Sequence, residues 1–336
     1  MPEPGGHTGD LVAWAHRCLT AAGRVVRGAP DVVRERPWAT VVRLPTDQGP
    51  VWAKAASAPF AYEVPLLALL ARHAPGSTPP VLALDPSAGR ALLADGGPTW
   101  DVVHAGGLAP QAPEPARSQA VQAWTAMLQS YARTQQALAG QLDDLLAAGL
   151  PDLRPRPAAA GFAELVEQPD LLRVGGAHGI TVQEADAVRR LVPLAARAAH
   201  RLSGSAVPAT VQHDDLQPGN VVGGGALIDW GDASVAHPFA SLLTALSGAS
   251  GRPAAERRSA IRDAYLTAFH GQPGESLAST PTLDDLREQA RLAVLLAPVG
   301  RIQAWLRVPG ALDEYPDALT VWWRRILADR NWDRLR

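Results

Sequence analysis

Short apolar runs separated by turn-forming residues dominate the first part of the chain, from Arg24 to about Gly97. Runs of four to eight residues between clusters of Pro, Gly and Asp are typical of β-strands. The predicted strands are 40–44, 51–55, 81–84 and 91–94. One helix interrupts them at 63–73, where four leucines recur at helical spacing and form one apolar face. This part of the chain is therefore predicted to be an antiparallel sheet with one helix.

The pattern becomes helical after this region, because apolar residues such as Trp124 and Tyr131 now recur at intervals of three or four. A first helix is predicted to begin near Ala116. Further helices are predicted at 182–201, 238–247, 254–269, 283–306 and 318–329, with one short β segment at 221–229. We therefore expect an α+β fold of two lobes, a β-rich lobe at 1–97 and a helical lobe at 98–336.

The amino-acid composition excludes several classes of protein. Of 336 residues, 47% are hydrophobic and 19% are charged, which is typical of a folded domain and excludes intrinsic disorder. The 31 basic and 33 acidic residues nearly balance, giving a net charge of −2. A chain without basic excess has no electrostatic reason to bind nucleic acid or an anionic membrane. A small molecule is the expected partner, and the pattern leaves the oligomeric state open.

The number of cysteines and the length of the apolar runs indicate the cellular compartment of the protein. Cys18 is the only cysteine, so an internal disulfide framework and multi-cysteine metal sites are excluded. The longest clean apolar run, 292–299, is far shorter than the roughly 20 residues that span a bilayer. The first thirty residues carry no signal-peptide pattern. These features predict a cytoplasmic protein.

Lysine and asparagine are unusually scarce in this chain, which draws attention to the positions where they occur. Lys54 is the only lysine among 31 basic residues, the other 30 being arginine, and Asn220 is one of only two asparagines. Both lie in segments that carry candidate chemistry. A Walker phosphate-binding loop is excluded, because its lysine must follow glycine and precede Ser or Thr, whereas Lys54 lies between two alanines. The Gly-x-Gly-x-x-Gly and Gly-x-Ser-x-Gly motifs are also absent.

The segment 211–232 carries the strongest chemical signal. Asn220 and Asp229 are symmetric about Gly224 and Gly225, so a two-residue Gly-Gly turn would place them directly opposite each other in a hairpin. An amide oxygen beside a carboxylate suits Mg²⁺, which takes few protein oxygens and fills its shell with water and phosphate. Asp215 lies five residues earlier and can face the same cleft.

These residues resemble a known family. His213-x-Asp215, Asn220 and the later Ile-Asp229-Trp-Gly are similar to the catalytic loop and metal motif of the aminoglycoside phosphotransferase and choline kinase group, relatives of protein kinases. The resemblance implies a protein-kinase-like fold that uses ATP and Mg²⁺. It implies that Asp215 is the catalytic base or orients the acceptor hydroxyl, that Asn220 and Asp229 hold Mg²⁺, and that His213 is structural.

The resemblance also implies which residues bind the nucleotide in the N-terminal part of the chain. A kinase of this class places a lysine on an early strand against the α- and β-phosphates, and Lys54 fits because a compact ammonium reaches between phosphates. Glu63 is the expected partner, although Pro65 places it at the very start of its helix. The adenine is expected near Leu93 and Asp95, against the short connector between the two lobes at 95–97. Arg34, Arg36 and Thr40 are the candidates for a further phosphate contact.

Two other functions remain open on the sequence. One is a nucleotide-binding pseudokinase or regulator without turnover, against which the retained Asp215 argues. The other is a metal-dependent hydrolase with His213, Asp215 and Asp229 as ligands. The leading hypothesis is a small-molecule kinase that transfers the γ-phosphate of ATP to a hydroxyl. Residues 281–336 contain eight acidic residues against nine arginines. This lack of acidic bias leaves aminoglycosides open as acceptors but favours less cationic ones, such as sugars, amino sugars or other metabolites.

Overall fold

The first lobe is a five-stranded antiparallel sheet with a helix on each side. A computed structural model describes residues 4–105, 107–108, 112–246, 255–270, 281–308 and 310–335. The elements of this lobe are α1 (Pro4–Ala21), β1 (Asp31–Arg36), β2 (Ala39–Leu44), β3 (Val51–Ala56), α2 (Glu63–His73), β4 (Val81–Asp85) and β5 (Arg90–Ala94). The strands are ordered β1-β2-β3-β5-β4. The four predicted strands and the predicted helix 63–73 are all present.

Strand alternation explains how the sheet is covered. Val51 and Ala53 of β3 are fully buried and pack with Leu11 and Leu19 of α1 in a small core of their own. Lys54, the residue of β3 that follows Ala53, therefore faces the other side, because successive side chains of a strand point to opposite faces. The leucines of α2 pack instead into the large core shared with the second lobe.

Two elements of this lobe were not predicted. Strand β1 is exposed at every position, so its sequence lacks the buried alternation by which strands are recognised. Helix α1 contains three glycines, which weaken helix propensity. Its buried Leu11, Ala15 and Leu19 nevertheless recur every four residues, and this spacing is the signal that identifies the helix.

The second lobe is mainly helical. Its helices are α3 (Trp100–Val103), α4 (Ala116–Leu138), α5 (Leu142–Ala147), α6 (Pro155–Val166), α7 (Pro169–Leu172), α8 (Val182–Arg190), α9 (Val192–Leu202), α10 (Leu242–Ala245), α11 (Ala255–Thr267), α12 (Leu283–Leu296), α13 (Pro298–Leu306), α14 (Ala311–Glu314) and α15 (Ala318–Leu327). Its strands are β6 (Asp152–Leu153), β7 (Thr210–Gln212), β8 (Val221–Val222), β9 (Ala226–Leu227) and β10 (Ser234–Ala236). This architecture confirms the predicted two-lobed α+β fold. Among the described helices, none is long and apolar enough to cross a membrane.

Prolines divide helices that were predicted to be continuous. The predicted helix 182–201 is two helices, α8 and α9, with Pro193 in the first turn of α9. The predicted helix 283–306 is likewise α12 and α13, with Pro298 at the first position of α13. Proline is tolerated in a first helical turn but not in a helix interior, so each proline begins a new helix.

The ends of the other predicted helices also change. The segment 238–247 is a short 3₁₀ helix followed by α10, and its last residue lies outside the described part of the chain. Helix α11 accounts for the predicted 254–269, whose first residue is likewise not described. Helix α15 ends two residues before the predicted 329.

The predicted hairpin register is wrong by one residue. Val221 pairs with Leu227 and Val222 with Ala226, so the turn has three residues, Gly223 to Gly225, and the strands are only two residues long. Gly223 and Gly225 both have positive φ, which glycine adopts without strain, and this makes the longer turn possible. Asn220 consequently lies opposite Ile228, whose amide donates a hydrogen bond to the Asn220 carbonyl at 3.0 Å.

Candidate active site

Lys54 contacts two carboxylates, one from each lobe. Its Nζ lies 2.7 Å from Glu63 Oε2, at the start of α2, and 2.6 Å from Asp229 Oδ1, after β9. Glu63 Oε1 also accepts a hydrogen bond from the backbone amide of Trp230 at 3.0 Å. The structure therefore brings Lys54, Glu63 and Asp229 together, and the position of Glu63 at the helix start does not prevent the contact.

The charges in this triad stabilise one another. Burial opposes the ammonium of Lys54, but Asp229 and Glu63 outweigh it and raise the pKa of Lys54 above its ordinary value. The Lys54 ammonium lowers the pKa of Asp229. Burial raises the pKa of Glu63, and Lys54 offsets part of that rise. The result is a fixed positive charge deep in the cleft between the lobes.

His213 anchors the loop that follows β7. It is fully buried, its Nε2 contacts the Ile228 carbonyl at 3.0 Å, and its ring centroid lies 4.6 Å from that of Trp230. Its backbone amide donates to the Tyr131 hydroxyl at 2.9 Å. Burial lowers the pKa of His213, so the ring stays neutral near pH 7. These contacts connect the loop to the hairpin and to α4.

Asp215 lies at the open end of the same loop. Its Oδ2 accepts hydrogen bonds from Gln217 Nε2 at 2.9 Å and from Asn220 Nδ2 at 3.0 Å. Its Oδ1 lies 3.6 Å from Nη2 of Arg301 on α13. The carboxylate is thus held in one orientation by the loop itself, with about a quarter of its side chain exposed to the cleft.

Asn220 and Asp229 offer oxygens suited to a magnesium ion. The Asn220 amide nitrogen is engaged with the Asp215 carbonyl and carboxylate, which leaves its Oδ1 as the atom available to a cation. Asp229 Oδ2 has Arg34 Nη1 at 3.9 Å as its ion-pair partner and is not bonded to Lys54, which holds Oδ1. Two hard oxygens of this kind fit Mg²⁺. Among the described residues no group of three or more His, Cys, Asp or Glu forms a metal cluster.

Two residues in the site have a left-handed backbone. Asp229 has φ 62° and Asp214 has φ 65°, and the third such non-glycine residue among those described is Arg173, outside the site. This conformation costs a non-glycine residue about 1–3 kcal/mol and persists only where the surrounding structure imposes it. At Asp229 it turns the carboxylate out of the hairpin ladder and toward Lys54.

One cavity, of about 310 Å³, lies between the sheet and the hairpin. Leu93, Asp95 and the connector glycines line one end, and Lys54, Asn220 and Asp229 line the other. Trp52 Nε1 donates a hydrogen bond to Asp95 Oδ1 at 2.7 Å, which ties the connector to β3. All the predicted nucleotide-site and metal-site residues therefore face a single cleft. Of the three candidates for an added phosphate contact, Arg34 lines this cavity, while Arg36 pairs with Glu314 at 3.7 Å.

A second cavity, of about 200 Å³, opens on the other side of the triad. It extends past Asp215 and Asp232 to helix α13. The residues that line both cavities are Arg34, Trp38, Ala39, Lys54, Glu63 and Asp229. Its walls include side chains that no sequence motif marks, namely Trp38, Phe60, Arg301, Ala304, Trp305, Val308 and Ala311. They come from distant parts of the chain, so no spacing pattern connects them.

Arg301 lies beside the acidic residues that line the second cavity. It is 9% exposed, its Nη1 donates to Asp232 Oδ2 at 2.6 Å and to the Asp214 carbonyl at 3.3 Å, and its guanidinium lies over the Trp322 ring. Burial opposes its charge, but Asp232 and Asp215 raise its pKa above the ordinary value. Asp232 is therefore held by a buried arginine.

Asp214 is a buried acid behind the loop. Its side chain is 2% exposed and accepts a hydrogen bond from Gln212 Nε2 at 3.0 Å. Burial raises the pKa of Asp214 to about 7, against the pull of Arg301. The second negative charge that the sequence placed next to Asp215 is therefore partly protonated at neutral pH.

The fold and the site together define the class of two-lobed, kinase-like phosphotransferases. The chain belongs to the phosphotransferase enzyme family, whose model matches residues 31–277. This confirms the family resemblance seen in the sequence. No curated protein matches the chain.

Solved structures show the same fold at low sequence identity. The chain is similar to macrolide 2'-phosphotransferase type I, with 16% identity, a TM-score of 0.56 and coverage of 95% of this chain and 97% of that one. It is similar to wild-type aminoglycoside 2'-phosphotransferase-IIIa, solved as a GDP complex, with 13% identity, a TM-score of 0.58 and coverage of 94% and 99%. A choline/ethanolamine kinase family protein from Mesorhizobium loti has 15% identity, a TM-score of 0.56 and coverage of 97% of both chains.

Proposed function

We propose that this chain is an ATP- and Mg²⁺-dependent phosphotransferase that moves the γ-phosphate of ATP to a hydroxyl of a small molecule. The observation that carries the proposal is the convergence of Lys54, Glu63, Asn220 and Asp229 on one cleft, with Asp215 at the boundary of the second cavity. In this proposal residues 1–97 form the nucleotide-binding lobe and residues 98–336 the catalytic and acceptor-binding lobe.

The first cavity is the proposed nucleotide site. The adenine lies against the connector at Leu93 and Asp95, and Lys54, held by Glu63, contacts the α- and β-phosphates. Arg34 of β1 adds a second positive charge near Asp229. Asn220 and Asp229 hold Mg²⁺, which when bound neutralises phosphate charge and orients the phosphoryl group for transfer.

Asp215 is the proposed catalytic residue. Its carboxylate accepts the proton of the acceptor hydroxyl as the new oxygen–phosphorus bond forms and the bond between the γ-phosphorus and the β–γ bridging oxygen breaks, releasing ADP. Gln217 and Asn220 hold this carboxylate through Oδ2, which leaves Oδ1 toward the second cavity. Phosphoryl transfer depends mainly on positioning and charge stabilisation, and a fixed carboxylate supplies the first of these.

Calorimetric titration with ATP, with and without Mg²⁺, tests the nucleotide site. We expect Mg²⁺ to strengthen binding, and Asp229→Ala to lose that enhancement because it removes one of two metal ligands. GTP is titrated in parallel to determine the nucleotide preference. Absence of nucleotide binding under every condition would overturn the proposal.

Asp215→Asn separates an active kinase from a nucleotide-binding regulator. The substitution keeps the size and the hydrogen bonds of the side chain but removes its basicity. We expect MgATP affinity within about twofold of wild type and ADP formation reduced by at least about a hundredfold, within the range of general-base contributions. Equal ADP formation in the two proteins would remove Asp215 from the mechanism.

A further inference from the structure

The side chains that line the second cavity bear on the chemical class of the acceptor. If the first cavity holds the nucleotide, as the proposed function states, the second lies on the far side of Lys54 and Asp229 and includes Asp215. It is therefore where an acceptor hydroxyl would approach the γ-phosphate. Its chemistry can be read from its charges and from its apolar walls.

Each carboxylate that lines this cavity already has a cation beside it. Glu63 and Asp229 contact Lys54 at 2.7 and 2.6 Å, and Asp232 contacts Arg301 at 2.6 Å. Asp215 lies 3.6 Å from the same Arg301. An acceptor carrying ammonium groups would have to displace one of these internal cations or lie against it.

Arg301 is not easily displaced. It is buried, it is held on one side by Asp232 and by the Asp214 carbonyl, and its guanidinium lies 5.5 Å from the centroid of the Trp322 ring. A second guanidinium, that of Arg307, lies over Phe60 and donates to the Tyr62 hydroxyl at 2.8 Å, adding positive charge beside the same wall. Cations fixed beside the carboxylates of this cavity neutralise them, which removes the attraction that a cationic acceptor would need and favours neutral partners.

The rest of the wall is apolar and aromatic. Trp38, from the turn between β1 and β2, meets Trp305 of α13 edge-on with ring centroids 6.0 Å apart. Ala304, Val308 and Ala311 complete this side. Such a surface stabilises an apolar ring face by burying it from water.

We propose that the acceptor is an uncharged hydroxylated molecule with an apolar ring face, and that Arg301 is the specificity-determining residue that excludes polycationic and quaternary-ammonium acceptors. The ring face packs against Trp38 and Trp305 while the hydroxyl reaches Asp215. Arg301 Nη2, which has no hydrogen bond within the described part of the chain other than its long contact to Asp215, is free to donate to a neighbouring oxygen of the acceptor.

The test measures acceptor binding to the whole protein saturated with ADP and Mg²⁺. Calorimetric titrations use phenyl β-D-glucopyranoside as the neutral probe, with kanamycin and choline as cationic probes. We expect the glucoside to bind at least tenfold more tightly than either cation. A separate MgATP titration reports on the nucleotide site, so its failure would count against the proposed function and not against the acceptor class.

A gain of binding tests the role of Arg301. Arg301→Gln leaves Asp215 and Asp232 without their cation, so kanamycin should bind at least tenfold more tightly than it does to wild type. The matched double variant Arg301→Gln with Asp232→Asn restores the charge balance and should lose most of that gain. MgATP titration of each variant checks that the site is folded.

Three results would overturn the proposal. Kanamycin or choline binding to wild type as tightly as the glucoside would exclude the neutral acceptor class. Arg301→Gln that binds MgATP but gains no affinity for kanamycin would remove Arg301 as the specificity determinant. Binding of MgATP but of none of the three probes would show that the second cavity is not the acceptor site.

Discussion

At the scale of single residues, the site depends on side chains whose size and charge are set by close neighbours. Lys54 is 18% exposed and has carboxylate oxygens at 2.6 and 2.7 Å on two sides. Asp214 is buried next to Gln212 and has its pKa raised to about 7 by that burial. At both positions one substitution separates two properties of the side chain. At Lys54 the charge can be kept while the shape changes, and at Asp214 the size can be kept while the charge is removed.

Lys54→Arg keeps the charge but changes its shape. The planar guanidinium is bulkier than an ammonium and does not fit between Glu63 and Asp229 without shifting them. We predict at least about tenfold slower ADP formation, or about 1.4 kcal/mol of lost transition-state stabilisation, because the phosphates are misplaced. Steady-state kinetics checks this, with Arg43→Lys on the neighbouring strand β2 as the control. Unchanged kinetics would show that the lysine is not needed at position 54.

Asp214→Asn tests a pH dependence of stability. The ordinary aspartate pKa of 3.8 is raised to about 7 in the folded protein, so between these values the folded state keeps a proton that the unfolded state releases. The free energy of unfolding therefore falls as pH rises through this window and stays low above it. Asparagine is neutral throughout, so Asp214→Asn should be more stable than wild type by about 1–3 kcal/mol at pH 8.

Urea unfolding of wild type and Asp214→Asn at pH 5 and pH 8 measures this difference. At pH 5 the folded carboxyl is still protonated, but the unfolded state has already released its proton, because pH 5 lies above the ordinary pKa of 3.8. The difference between the two proteins should therefore be smaller at pH 5 than at pH 8 and should disappear only below the ordinary pKa. Asp10→Asn, at an exposed position of α1, is the matched control. A pH-independent difference between the two proteins would contradict the buried-acid explanation.

At the scale of elements, short irregular segments position the chemistry and longer elements support them. The hairpin of β8 and β9 packs on the connector between the lobes, where Thr99 pairs with Val222 and the Gly223 amide donates to the Pro98 carbonyl at 3.3 Å. A proline divides α12 from α13 and so determines where α13 begins, and α13 supplies Arg301 to the second cavity.

Gly223→Ala should disturb the contact between the hairpin and the connector. A Cβ there would lie 2.5 Å from the Gly96 carbonyl oxygen, and φ is +51°. We predict a loss of about 1–3 kcal/mol in unfolding free energy, the range for strained backbone, and weaker MgATP binding because the connector shifts. Gly224→Ala is the matched control, since its Cβ meets nothing within 4 Å. Equal stability of the two variants would contradict the close packing described.

At the scale of the whole molecule, the two lobes meet on both sides of the cleft. Lys54 binds Asp229 across the interior, and the β1–β2 turn contacts the helical lobe at the outer edge. There Trp38 packs against Trp305 and Tyr315, with ring centroids 6.0 and 5.8 Å away, and Arg36 pairs with Glu314. The second cavity is enclosed only because both lobes contribute to its wall.

Trp38→Ala should weaken the contact between the lobes. The indole is only partly buried, so we predict a loss of about 1–2 kcal/mol, below the 3–5 kcal/mol typical of a core Trp-to-Ala change. Denaturant unfolding measures it. Val32→Ala, on the same hairpin and 47% exposed, should change stability by less than about 0.5 kcal/mol. Equal effects at the two positions would show that the aromatic contact does not hold the lobes together.

Local patterns in the sequence were enough for much of this fold. Strands β2 to β5 follow from short apolar runs between turn-forming residues, and helix α2 follows from the helical spacing of its leucines. The residues of the candidate nucleotide site were also identifiable, because Lys54, Asp215, Asn220 and Asp229 lie in compact segments where residue type and spacing limit the chemistry. For the same reason the family resemblance is recognisable from the amino-acid sequence.

Tertiary structure alone decided the rest. The hairpin register depended on the conformation of three successive glycines, which leave few local constraints. Strand β1 is held by pairing with β2 and buries no regular face, so its own sequence carries little signal. The second cavity joins Trp38, Asp215 and Arg301 from three separate parts of the chain. Contacts between residues so far apart in sequence arise from the packing of whole elements, which no local pattern encodes.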